Sequence, residues 1–131
     1  MDVILMKKMT FGVTLLITCF SAWSAGEVGV SRYPQKTLLK NWALSRCLAE
    51  VYSDEGTKAD ANATASAYFE FGVLPVEAYD GVRALISTFS KRKYGGSIKS
   101  EFNTMKCIDL FHSNDLDLLA TELLEAPFLK R

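Results

Sequence analysis

No stretch of this chain is long and apolar enough to cross a bilayer, which takes about 20 residues. The most apolar segment, 11–20 (FGVTLLITCF), is half that length. Charge of one sign is missing as well, since 15 Lys and Arg balance 15 Asp and Glu. A neutral chain has neither the basic footprint of a nucleic-acid binder nor a polybasic run for an anionic membrane. Histidine occurs once, at His112, and cysteine three times, at Cys19, Cys47 and Cys107. That is a poor ligand set for zinc, so neither a metal nor a cofactor is expected. Catalytic signatures are absent too: there is no G-x-S-x-G elbow, H-E-x-x-H pair, phosphate-binding glycine loop or EF-hand spacing. Cys107 and His112 are five apart, on different sides of any helix that carries both. Asp115 and Asp117 suit the positive end of a helix better than a carboxylate pair. Asn62-Ala63-Thr64 fits the glycosylation sequon but falls in a helical stretch. The pattern is that of a binder, not an enzyme.

What is present at the start is an export label. Lys7 and Lys8 precede the apolar 11–20 segment, and Ser21-Ala22-Trp23-Ser24-Ala25 supplies small residues. Basic, apolar, then small is the order of a secretory signal peptide. Residues 1–24 are read as that signal, with Ala25 the alternative last residue and Met6 an alternative start. A lipoprotein that keeps Cys19 is a further alternative. The remainder, 25–131, is one domain carrying 13 basic and 14 acidic residues.

Cleavage would remove Cys19 and leave Cys47 and Cys107 in an oxidising compartment, where a cysteine pair more often bridges than stays reduced. Two buried thiols are the alternative. A bridge would close about 60 residues, for which loop-closure entropy gives about 4 kcal/mol of stabilisation.

The patterning beyond Pro34 is helical throughout. Leu38, Trp42, Leu44, Cys47, Leu48 and Val51 form a stripe over 35–52. An Ala-rich, thin helix is expected over 58–71, with Gly72 at its C-terminal glycine position. Pro75 opens a third helix, in which Val76, Tyr79, Val82, Leu85, Ile86 and Phe89 keep helical spacing to Ser90. A fourth is expected over 99–111, with Phe102, Met105 and Ile108 on one side and Cys107, Leu110 and Phe111 beside them. Ser113 or Asn114 caps a last helix over 115–124, which Pro127 closes. No segment sustains strand alternation. The expectation is an all-α, compact bundle of about five helices, with the cysteines in the first and fourth.

Between the third and fourth helices lies Lys91-Arg92-Lys93-Tyr94-Gly95-Gly96-Ser97. Glycines allow unusual backbone shapes and close approach to a partner. Tyrosine is enriched at interface hot spots, and the cations could steer an acidic partner. A solvated turn is the plainer reading of the same residues.

Lys40 to Ala49 (KNWALSRCLA) and Met105 to Ser113 (MKCIDLFHS), taken with the leader, resemble the family-4 amidase immunity proteins of type VI secretion systems. The resemblance runs over roughly residues 35 to 125. It implies a periplasmic, all-helical, non-catalytic protein, usually a homodimer. The partner it implies is a peptidoglycan amidase of the Cys/His class injected by neighbouring cells, bound in a two-to-two complex. Such inhibitors occlude the amidase cleft with a projecting loop, a role that maps onto Lys91 to Ser97. Glu70, Glu77 and Asp80 are candidate acidic contacts, or simply solvated charges. Two other classes stay open: a non-inhibitory periplasmic structural or chaperone-like protein, and a small secreted hydrolase with a reactive Cys47 or Cys107.

Overall fold

Helix α1 (Gln35–Val51) starts where Pro34 fixes the backbone and runs without an internal Gly or Pro. The structure, a computed structural model, describes residues 27–127, so the expected leader and its cleavage site lie outside the described residues. A single helical turn, Glu27–Val30, precedes α1. Four more helices follow: α2 (Glu55–Glu70), α3 (Tyr79–Ser90), α4 (Asn103–His112) and α5 (Asn114–Glu125). Among the described residues there is no strand, and no helix is long and apolar enough to cross a membrane. The expected five-helix architecture is observed.

Helix α2 begins one turn earlier than the pattern suggested, because Asp54 caps it. The Asp54 carboxylate accepts from the Thr57 N–H and hydroxyl, each at 2.8 Å. These bonds hold its pKa below the usual carboxylate value. The small residues let α2 lie close along α1, burying Ala61 and Ala65. Gly72 does not take the expected left-handed helix-ending conformation, as no glycine among the described residues has positive φ. It is small for another reason: a Cβ there would sit 2.6 Å from the Tyr79 hydroxyl oxygen. Gln35 clamps the same connection to α1, its Nε2 donating to the Phe71 carbonyl at 3.1 Å. Its Oε1 accepts from the Val73 N–H at 2.9 Å. Pro75 is followed by a 3-10 turn, Val76–Ala78, which leaves Val76 exposed and delays α3 to Tyr79.

The core sits where α1, α3, α4 and α5 converge on Leu39, Trp42, Val82, Ile86, Phe89, Leu110 and Leu116. At its centre Cys47 joins Cys107, with Cα atoms 5.6 Å apart and both residues fully buried. The bridge therefore ties α1 to α4 through the interior. Ser113 turns the chain from α4 into α5, its hydroxyl donating to the Leu110 carbonyl at 2.7 Å and accepting from the Leu116 N–H at 3.1 Å. Helix α5 is pinned to α1 by Asp117, which meets Lys36 at 2.8 Å and Lys40 at 3.4 Å. No buried side-chain nitrogen or oxygen among the described residues lacks a hydrogen-bond partner.

Candidate binding loop

Twelve residues with no regular structure, 91–102, join α3 to α4. The fourth helix was expected from Lys99 but starts at Asn103, so the loop is longer than its composition suggested. The cause is Phe102, whose φ of 51° is left-handed and cannot continue a helix. The Phe102 N–H bonds the Ser100 hydroxyl at 3.1 Å, which closes a tight turn before the helix.

Lys91, Arg92, Lys93, Gly95, Gly96 and Ser97 are all exposed, as are Ile98 and Lys99 beyond them. Ile98 is 74% exposed, an apolar side chain standing in water beside four cations. The loop is nevertheless tied down. The Arg92 N–H bonds the Phe89 carbonyl at 3.0 Å, and its guanidinium lies 3.5 Å from the centre of the Phe89 ring. Tyr94, unlike its neighbours, is half-buried, and its hydroxyl donates to Asp109 Oδ2 at 2.5 Å. Asp109 favours the protonated phenol and pushes its pKa up, while Arg92 pulls it partly back.

The glycines act differently from the expectation. Neither adopts positive φ, so unusual backbone shape is not what they supply. Gly96 lies against Phe102, and a Cβ there would meet the ring at 3.0 Å, whereas Gly95 has open space around it. Gly96 thus serves close packing inside the loop.

Beside the loop base runs an open groove of about 540 Å³, lined by Tyr52, Glu101, Phe102, Thr104, Met105 and Ile108. Sequence spacing put Phe102, Met105 and Ile108 on an apolar side of α4, yet Met105 and Ile108 are 43% and 48% exposed. The inward side is Lys106, Cys107 and Leu110. Lys106 was missed by sequence reasoning; its stem is buried and its ammonium donates to Asn103 Oδ1 at 2.9 Å. A second, smaller notch of about 360 Å³ lies between Trp42, Arg46, Asn62, Phe69 and Arg83. Arg46 donates to Asn62, the sequon asparagine. Glu70, Glu77 and Asp80 are exposed, and Asp80 pairs with Arg83 at 2.6 Å.

Cys47 and Cys107, the two candidate thiols, are both consumed in the bridge. His112 is exposed at the end of α4, its ring edge-on to Phe111. Among the described residues, no three His, Cys, Asp or Glu side chains gather into a metal-binding group.

Comparison with known families places a match over residues 37–120 to Tai4, the type VI secretion system amidase immunity protein. The chain belongs to the Tai4 family. No curated protein sequence matches it. Among solved structures, it is 50% identical to a chain of the Tae4/Tai4 effector–immunity system from Salmonella typhimurium. That likeness has a TM-score of 0.71 and covers 74% of this chain and 96% of the other. A chain of the Tae4–Tai4 effector–immunity complex from Enterobacter cloacae is 27% identical at TM-score 0.63, covering 70% and 93%. A structure described under new type VI-secreted toxins and self-resistance proteins in Serratia marcescens is 32% identical at TM-score 0.70, covering 77% and 83%. The Tai4 match spans α1 to α4 and most of α5, and so includes the bridge and the whole 91–102 loop.

Proposed function

We propose that the chain is exported, loses residues 1–24, and acts in the periplasm through its 25–131 domain as a non-catalytic inhibitor. Its target is a type VI secreted peptidoglycan amidase of the Tae4 kind, and it protects the cell from its own and sibling toxins. The observation that carries this reading is membership of the Tai4 family, whose solved relatives include complexes with Tae4 effectors. The mechanism is steric exclusion. The 91–97 segment enters the amidase cleft and covers its Cys/His pair, so the wall peptide cannot reach the nucleophile. Cations at 91, 92, 93 and 99 would speed encounter with an acidic cleft rim. A two-fold homodimer would present two such loops and bind two amidases.

The test is to replace Lys91 to Ser97 with a short neutral turn and titrate the variant against the co-encoded amidase. Inhibition should fall at least tenfold, a change of about 1.4 kcal/mol in binding, with helicity and oligomeric state unchanged. Inhibition equal to that of the unaltered protein would mean that the loop is not the plug.

A further inference from the structure

We propose that Tyr94 and Asp109 form a latch that holds the 91–99 segment in its binding-competent shape, making both of them positioning residues for inhibition. The proposal rests on the loop reading above and adds what gives that loop its shape.

Residues 91–102 have no helix or strand bonds to define them, so side-chain contacts must. Two of these lie at the ends. Arg92 packs on Phe89 at the exit from α3, and Gly96 lies against the Phe102 ring at the entry to α4. Between them only Tyr94 turns inward, and its hydroxyl reaches Asp109, 15 residues on, at 2.5 Å. A phenol bonded to a carboxylate is a charge-assisted bond, stronger than a neutral pair. The acceptor is itself rigid. Asp109 is in α4, two residues past Cys107, and Cys107 is bridged to Cys47 in α1. The latch therefore fastens the middle of an exposed loop to a helix that is covalently tied to the core.

A loop that samples other shapes binds with an affinity reduced by the fraction of time it spends in the right one. Releasing the latch lowers that fraction without removing any group that faces outward. Ile98 and the cations stay available but are no longer held in position. This accounts for a tyrosine among exposed cations and glycines: its hydroxyl is bonded to α4.

Four variants of the full chain, expressed with its leader and purified oxidised, test this: Tyr94→Phe, Asp109→Ala, both together, and Asp109→Asn. Each is titrated against the co-encoded amidase, with association rate, melting temperature and amide exchange of residues 93–99 in the free protein. Tyr94→Phe and Asp109→Ala should each weaken inhibition by about 5- to 10-fold, the loss of one such bond, mainly through slower association. The double variant should be no weaker than the worse single one. Asp109→Asn keeps an acceptor and should recover most of the loss. Exchange at 93–99 should quicken in both single variants while the melting temperature stays put.

If both single variants inhibit within twofold of the unaltered protein while loop replacement abolishes inhibition, the latch is wrong and the loop reading stands. If loop replacement leaves inhibition intact, both fall. Should the losses of the two single variants multiply in the double, the side chains act separately and the latch is overturned.

Discussion

Removing the Cys47–Cys107 bridge should be the costliest small change to this fold. The bridge closes 60 residues of chain. Loop-closure entropy for that length is about 14 cal/mol/K, or about 4 kcal/mol at room temperature. The described domain is about 100 residues long, and unfolding such a domain releases about 0.2 kcal/mol/K. Dividing one by the other gives a fall of about 20 °C in melting temperature. The cleanest perturbation is the double substitution Cys47→Ala, Cys107→Ala, since serine would bury an unpaired hydroxyl at a site with no exposure. Circular dichroism melts of both proteins, with and without reductant, supply the comparison. Under oxidising conditions the native protein should melt about 20 °C higher, and in reductant the gap should shrink to that of two lost sulfur atoms. An oxidised gap below about 5 °C, roughly 1 kcal/mol, would refute the argument. So would a 20 °C gap that survives reduction, because the stabilisation would then come from packing.

Two further outcomes follow from the packing and the charges. Asp54 and Asp117 both have pKa values below 3.8, the first through its bonds to Thr57 and the second through Lys36 and then Lys40. The unfolded chain therefore takes up these protons first, so their contribution is present above pH 3.8 and is lost as pH falls through the lowered folded values. Urea unfolding at a series of acidic pH values should show a shallower decline for Asp54→Asn, Asp117→Asn than for the native chain; equal slopes would assign the acid sensitivity elsewhere. Ala43 has no exposure and lies in the central cluster, so Ala43→Leu should destabilise by about 1–3 kcal/mol through overpacking, and a urea midpoint that does not move would mean the core has room there.

The helices were legible because the chain punctuates them with local chemistry. Pro34, Asp54, Gly72 to Pro75 and Ser113 each mark an end or a cap that the structure uses. The start of α4 was not legible, because a phenylalanine at positive φ carries no composition signal, as a glycine or asparagine would. The inward side of α4 was ambiguous for a different reason. A ten-residue helix with apolar side chains on two stripes does not say which stripe its neighbours will cover. The bridge decides it, drawing Cys107 and Leu110 inward and leaving Met105 and Ile108 in the open groove. The loop was visible as composition, but its attachment was not. Tyr94 and Asp109 are brought together only when α3 and α4 pack, and no local pattern encodes that.

The loop shows how a small domain can present a flexible-looking sequence as a defined surface. Ordering the nine residues 91–99 opposes binding, since each backbone residue fixed costs about 1–2 kcal/mol in entropy. A domain of this size has little core with which to offset that. The molecule instead uses contacts that cost it little core: a guanidinium on Phe89, a glycine under Phe102, and a phenol on Asp109. Two of these anchors, Phe102 and Asp109, lie at or in α4, and α4 is held by the one covalent cross-link among the described residues. Loosening the bridge would thus loosen α4, and with it the acceptor on which the middle of the loop depends. An oxidising compartment suits this arrangement, because the bond that stabilises the fold is also the bond that fixes the loop's anchor in register with α1.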